Sequence, residues 1–272
     1  MSVSRKKPFS SLPLLDIRDS INIGQVGWWL ANEGAGNRLA NIANPNRFTG
    51  TLQAGATWSN HQTGRTVAFD GGANAYVDLG TASLIPSTTT PLTLSWIENP
   101  GTSPPAFAGL ACFKAADAAQ RWLLFREDSD VSYRYLSFGL GSAATARKFS
   151  TAPTMASGVG VAKHFLLLIP DGMAGTTTTA AGPSLYVDGV RFTTIAGSAI
   201  SAQAANLNYL GWDGADAKWK GNLDNFRLWT RALSGAELNQ LIADPSAGTA
   251  RARTYFLPAP AAQPLHRMFL AL

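Results

Sequence analysis

The sequence predicts an all-β protein, an antiparallel β-sandwich closed by one short C-terminal helix and carrying an extended arm at each end. Three observations predict it. About ten short apolar runs, many alternating with polar residues, follow one another with Gly, Pro, Ser, Thr, Asn and Asp between them. The composition, 46% hydrophobic and only 14% charged over 272 residues, suits a sizeable core under many turns. The long amphipathic helices that alternate with strands in a parallel α/β fold are missing.

Residues 1–20, "MSVSRKKPFSSLPLLDIRDS", sustain no periodicity and read as an N-terminal arm. The body, residues 21–247, opens at "GQVGWWLANEGAG", where Val26, Trp28 and Leu30 alternate with other residues before a Gly-rich turn. Strands are then expected at "TVAFDG" from Thr66, "AYVDLG" from Ala75, "LTLSWIE" from Leu92, "AGLACFK" from Ala108 and "RWLLFRE" from Arg121. "SYRYLSFGL" from Ser132, "HFLLLI" from His164, "SLYVDGVRF" from Ser184, "NYLGW" from Asn208 and "NFRLWT" from Asn225 complete the set. So many short strands at turn-separated intervals mean a sandwich or a barrel.

"RALSGAELNQLIADP" is the one helix the sequence announces. Ser234 caps it, Glu237 sits where a capping box requires, Leu238 and Leu241 form an apolar face, and Pro245 follows its end. Such a helix is expected to close one end of the sandwich. Residues 248–272 are rich in Pro and Ala with an apolar tip and read as the second arm.

The net charge of +5 sits on the arms: Arg5, Lys6 and Lys7 at one end and Arg251, Arg253 and Arg267 at the other, leaving the body close to neutral. A nucleic-acid binder carries its basic stripe on the folded domain, so no direct nucleic-acid partner is expected. The arms suit docking onto acidic protein neighbours. The longest aliphatic run, Phe165 to Ile169, is far too short to span a bilayer, and "SRKK" leads into no signal-peptide pattern. Cys112, the single cysteine, sits between apolar residues and reads as core.

No catalytic constellation emerges. His61, His164 and His266 are scattered, no G-x-S-x-G elbow exists, and Cys112 has no histidine nearby in sequence. Glu127, Asp128 and Asp130 form an acidic cluster between two aromatic strand segments, as a solvated hairpin turn does. Two windows offer oxygen ligands for calcium: Asp213, Asp216, Asn222 and Asp224 in one, Asp70, Asn74 and Asp78 in the other. Asp followed by Gly at Asp70 and Asp213 is also plain turn chemistry, so no cofactor is assigned. Among the tryptophans, Trp28, Trp96, Trp122 and Trp229 fit sheet burial, whereas Trp212 and Trp219 flank a turn and could offer an aromatic platform to a sugar ring.

"VGWWLANEGAGNRLANIA", "GTLQAGATW", "TVAFDGGANAYVDLG", "SLYVDGVRF" and "GNLDNFRLWTRALSGAEL" together resemble, in order and spacing, the laminin-G-like, concanavalin A-like jelly-roll domains over roughly residues 24–243. The resemblance implies two packed antiparallel sheets, with the last strand beside the first and the helix capping the sandwich edge. The β-glucan-cleaving enzymes of this superfold carry an E-x-D-x-x-E strand motif, which is absent from this sequence.

The arms add a second resemblance, to jelly-roll proteins of tailed-bacteriophage structural modules. It implies a non-enzymatic virion protein, a head decoration or cement protein made in the host cytoplasm without a signal peptide. Arg5, Lys6, Lys7, Arg251, Arg253, Phe256 and Arg267 would anchor it to a major capsid or tail protein, as a homo-oligomer. The alternative is a carbohydrate-binding adhesin that contacts host glycans through a rim of Trp212, Asp213, Asp216 and Trp219.

Overall fold

The computed structural model describes residues 15–61, 64–86, 91–100, 108–114, 121–126, 134–138, 146–149, 161–170, 183–196, 207–212 and 218–249. In chain order they form β1 (Gln25–Trp29), β2 (Arg38–Leu39), β3 (Gly50–Leu52), β4 (Ala56–His61), β5 (Gly64–Asp70), β6 (Val77–Asp78), β7 (Leu92–Pro100) and β8 (Ala108–Lys114). There follow β9 (Arg121–Arg126), β10 (Arg134–Phe138), β11 (Ala146–Phe149), β12 (Lys163–Ile169), β13 (Ser184–Val187), β14 (Val190–Ala196), β15 (Leu207–Leu210), β16 (Lys220–Trp229) and the helix α1 (Gly235–Ala243). The anchoring residues expected at Arg5, Lys6, Lys7, Arg251, Arg253, Phe256 and Arg267 lie outside the described residues, as do Asp213, Asp216 and the cluster Glu127 to Asp130.

Every strand pairing is antiparallel, in two sheets as the sandwich reading expects. The first sheet runs β13-β12-β7-β16-β5-β4, and the second runs β2-β3-β6-β15-β8-β9-β10-β11. β14 belongs to both, pairing β13 through Val190 to Thr193 and β11 through Thr194 and Ala196. The stretch "SLYVDGVRF", expected as one strand, is a hairpin, because Asp188 (φ 49°) and Gly189 (φ 86°) both take the left-handed conformation of a two-residue turn. β16 carries the first sheet's centre: its first residues pair β5, its last pair β1, and β7 runs along its other side. The last strand therefore does lie beside the first.

Period-two alternation puts the core between the sheets. From the first sheet come Leu92, Leu94 and Trp96 of β7, Phe165, Leu167 and Ile169 of β12, and Val67 and Phe69 of β5; opposite them stand Val77, Leu110, Phe113 and Leu210. Trp96 and Phe165 are direct partners in register and stack at 5.2 Å, nearly parallel. Along β16 the alternation is broken by a bulge between Asp224 and Arg227, where Asn225 has φ 48°. The extra residue lets Leu223 and then Phe226 and Leu228 all face the core. Asn225 is held by the Trp28 indole N–H, which donates to its Oδ1 at 2.6 Å, and by its own Nδ2, which donates to Pro245 O at 2.8 Å.

The bulge sends Arg227 and Trp229 to the outer face of the first sheet, where the terminal segments cover them. Arg227 is fully buried with its guanidinium 3.6 Å from the Trp28 ring centre, and its Nη1 donates to Pro245 O and Ala247 O. Burial pushes its pKa well down from the usual arginine value, against the opposing pull of Asp244 and Asp19.

α1 lies on this outer face, not across the sandwich edge as expected. Its Leu238 and Leu241 pack with Leu166 of β12 and Trp229 of β16, side chains that alternation has already turned outward and that need cover. The capping box forms as expected, and Arg231 extends it by gripping both Glu237 oxygens at 2.9 and 2.7 Å while donating to the carbonyls of Ile23 and Ser20. The folded body also reaches further than residue 21. Leu15 bridges Thr249, Asp16 N donates to Gly248 O, Trp229 Nε1 donates to Ile21 O, and Ile21 is fully buried.

Candidate functional site

The outer face of the second sheet carries a different chemistry. Val77 and Leu210 are inner partners across β6 and β15, so their neighbours Tyr76, Asp78 and Tyr209 face outward. Register then sets one row across four strands: Arg38 opposite Thr51, Thr51 opposite Asp78, and Asp78 opposite Tyr209. Arg38 and Thr51 are exposed, whereas Asp78 and Tyr209 are half-buried. Strand spacing makes this row about 14 Å long.

Beyond β15, Gly211 turns the chain at φ 78°, and a Cβ there would collide with the Phe69 ring. The turn brings Trp212 back against the row. Its ring centre lies 4.7 Å from that of Tyr76 and 4.6 Å from that of Tyr209, and the two tyrosines meet edge-on at 5.6 Å. All three residues are half-buried. Lys218 pairs with Trp212 in an isolated antiparallel bridge and lays its ammonium 3.6 Å from the indole centre and 5.5 Å from the Tyr76 ring. Burial pushes the Tyr209 phenol up, with the Asp78 carboxylate next in weight, so it remains a hydroxyl donor through neutral pH.

Trp219 is not part of this surface. The expected two-tryptophan platform fails because Trp219 is 0% exposed in the core between the sheets. Alternation explains it: Lys218 pairs with outward-facing Trp212, and the next residue must point the other way. Trp28, Trp96 and Trp229 are buried as expected. Tyr76, Tyr209 and Lys218, which sequence reasoning passed over, take Trp219's place. A signal for them existed in the alternation of "AYVDLG" and "NYLGW" and in "KWK", where lysines flank an inward tryptophan.

Several other candidates hold structural bonds. Asp70 and Asp78 each accept a backbone N–H two residues on, from Gly72 at 2.7 Å and Gly80 at 2.8 Å, which is turn chemistry. Ser95 Oγ and His164 Nε2 lie 2.9 Å apart, but both side chains are buried on the covered face of the first sheet, out of a substrate's reach. His61 bonds Asn99, and burial lowers its pKa. Glu33 accepts from Ala40 N, Glu98 accepts from the Trp96 indole, and Glu237 caps α1, so each of these glutamates holds a structural bond. Among the described residues no group of His, Cys, Asp and Glu is placed to hold a metal ion.

A family model described as the concanavalin A-like lectin/glucanases superfamily matches residues 70–239. No curated protein matches the sequence. Solved structures that it resembles include the binding domain of Paraclostridial Mosquitocidal Protein 1, at 13% identity and TM-score 0.57 over 82% of this chain and 52% of that one. Trypanosoma rangeli sialidase in complex with the inhibitor DANA matches at 14% and 0.57, over 82% of this chain and 33% of the sialidase. Domain 4 of AbnA, a GH43 extracellular arabinanase from Geobacillus stearothermophilus in complex with arabinotriose, matches at 15% and 0.50, over 80% of this chain and 98% of that one. The chain thus spans about half of the first and a third of the second, and what it shares with all three is the fold.

Proposed function

From a chain that belongs to the concanavalin A-like lectin/glucanases superfamily, we propose a carbohydrate-binding domain that holds an oligosaccharide on the outer face of its second sheet. The observation that carries this reading is the cluster of Tyr76, Tyr209 and Trp212 beside the polar row of Arg38, Thr51 and Asp78. Aromatic rings stack on the apolar faces of pyranose or furanose units, and neighbouring hydroxyl, carboxylate and guanidinium groups bond their hydroxyls. The row's length matches two to three sugar units. The arabinanase domain of similar fold was solved with arabinotriose, a ligand of the class proposed here. Binding without cleavage is the reading for the described glutamates, which cap a helix, tie a loop or bond a core tryptophan.

The test is calorimetry of the full chain against arabinotriose, a β-glucan oligosaccharide and sialyllactose. Tyr209→Ala and Trp212→Ala are expected to weaken whichever sugar binds at least tenfold while leaving the fold intact. Unchanged affinity in both variants, or no binding to any sugar, refutes the reading.

A second reading, the virion structural protein, is favoured by one observation. Leu15 and Thr249 are bridged on the covered side of the first sheet, so both arms start together, away from the aromatic cluster. Anchoring through the arms is compatible with a sugar-binding face turned outward. Deleting residues 1–14 and 250–272 together should abolish association with a particle and leave sugar binding unchanged; retained association refutes it.

A further inference from the structure

We propose that β4 is the docking edge for a second copy of this chain, the two β4 strands pairing antiparallel about a two-fold axis at Ser59. Among the described residues β4 has β5 on one side and no strand on the other. The alternation of its bonds is fixed where it begins: Asp70 N of β5 donates to Gly55 O, whereas Ala56 N turns away from β5 to Gln53 O. Thr57 and Ser59 therefore bond β5, and Trp58 and Asn60 aim their backbone N–H and C=O outward, where no group of the described residues meets them. Sheets guard such an edge by shortening it or by placing a charge, a proline or a bulge on it. The edge of the second sheet is guarded: β2 is two residues long and carries an exposed Arg38. β4 is not. It runs for six residues, Ala-Thr-Trp-Ser-Asn-His, with no Asp, Glu, Lys, Arg or Pro and in one unbroken register with β5.

The edge is complementary to itself, which is why its occupant is a second copy. With Ser59 on the axis, the outward groups of Trp58 exchange bonds with those of Asn60 in the second copy, and those of Asn60 with Trp58, so every outward group is used. A register centred on Trp58 would instead set Asn60 against Ala56, whose N–H is already committed to Gln53 O. On the outer face Ser59 then meets Ser59 and Thr57 meets His61, while on the inner side the Trp58 indole meets the Asn60 amide, and no like charges oppose. The two-fold stands perpendicular to the sheet, so the two first sheets become one and both second sheets lie on the same side of it. On the carbohydrate reading, both clusters of Tyr76, Tyr209 and Trp212 then face one way, and a glycan-bearing surface is held at two points.

The experiment is sedimentation velocity of the full chain from low micromolar to about 100 μM, the range suited to a small interface. Wild type is expected to pass from monomer to dimer. Asn60→Pro removes an N–H that bonds nothing among the described residues, and Ser59→Lys sets two ammonium groups face to face at the axis. Both should stay monomeric throughout, with melting temperatures within about 3 °C of wild type. Two cysteine variants read the register directly under oxidation by copper phenanthroline, the native Cys112 being buried. Ser59→Cys places its thiols in a non-bonded pair with Cα atoms about 4.5 Å apart and should give a disulfide-linked dimer. Thr57→Cys places them four residues out of register, about 13 Å apart, and should not. A wild type that stays monomeric, or a dimer that survives both Asn60→Pro and Ser59→Lys, overturns the pairing. So does a Ser59→Cys cross-link no stronger than that of Thr57→Cys. None of these readouts contains a sugar, so the pairing stands or falls apart from the carbohydrate reading.

Discussion

Glu237 offers the sharpest quantitative test of how the terminal cover is held. Its carboxylate accepts two bonds from Arg231, and one each from the Ser234 backbone and hydroxyl, and this holds its pKa down at about 2 from an ordinary 4.5, the Arg231 bonds contributing most. A difference of that size corresponds to about 3 kcal/mol if none of it is screened. Arg231 is 27% exposed, so solvent screening reduces the expected contribution to about 1–2 kcal/mol. Because the folded-state value is depressed, the stabilisation is fully present above about pH 4.5 and is lost as the pH falls toward 2. Glu237→Gln keeps an acceptor for the Ser234 N–H but removes the charge. At pH 7 it should be less stable than wild type by about 1–2 kcal/mol, or roughly 3–6 °C in melting temperature. The gap should shrink to less than half by pH 3, as the wild type gives up its ionic term and the variant has none to lose. Urea denaturation followed by tryptophan fluorescence at pH 7, 4 and 3 measures it. A gap that is absent at pH 7, or unchanged at pH 3, refutes the assignment of the bond's strength to charge.

Three further outcomes follow from the packing. Trp219→Ala should cost about 3–5 kcal/mol and Trp212→Ala under about 1.5, since one empties the core and the other trims a half-buried cluster; similar losses in thermal melts would contradict the opposite placement of the two rings. Asn225→Ala removes the acceptor of the Trp28 indole and the donor to Pro245 O at a left-handed position, and should cost about 2–4 kcal/mol in urea unfolding, with a loss below about 0.5 counting against the bulge as a keystone. Gly211→Ala meets both a positive φ and the Phe69 ring, and is expected to lower stability by about 2 kcal/mol and to weaken sugar binding; an unperturbed melt would mean that the turn is not constrained as described.

The sandwich was legible because its strands alternate and because many turn signals agree on one architecture. The capping box at Ser234 and Glu237 was legible for the same reason, since its residues are neighbours in sequence. The candidate site was half legible. Trp212 stood out as a tryptophan at a turn, but its companions Tyr76, just before β6, and Tyr209 of β15 are over 120 residues apart in the chain, and only register joins them. Trp219 was misassigned because two tryptophans flanking one turn were read as sharing a surface, while a strand turns successive side chains to opposite faces and Trp219 follows the outward Lys218. The short strands β2, β3 and β11 escaped because few residues carry their pattern, and β4 escaped because, as an edge strand, it buries only Ala56. The place of α1 escaped because a helix's apolar face says that it needs a partner, not which face of the sandwich supplies one.

The bridge between Leu15 and Thr249 has a mechanical meaning. Neighbouring strands in register stand about 5 Å apart, so a force applied through residues 14 and 250 together enters the molecule at one point. It loads the short clasp of Asp16, Asn22 and Gly248 and leaves the long ladders of both sheets slack. A tether pulled at this base can sway or twist while the far face keeps its shape, as a pendant keeps its form on a moving chain.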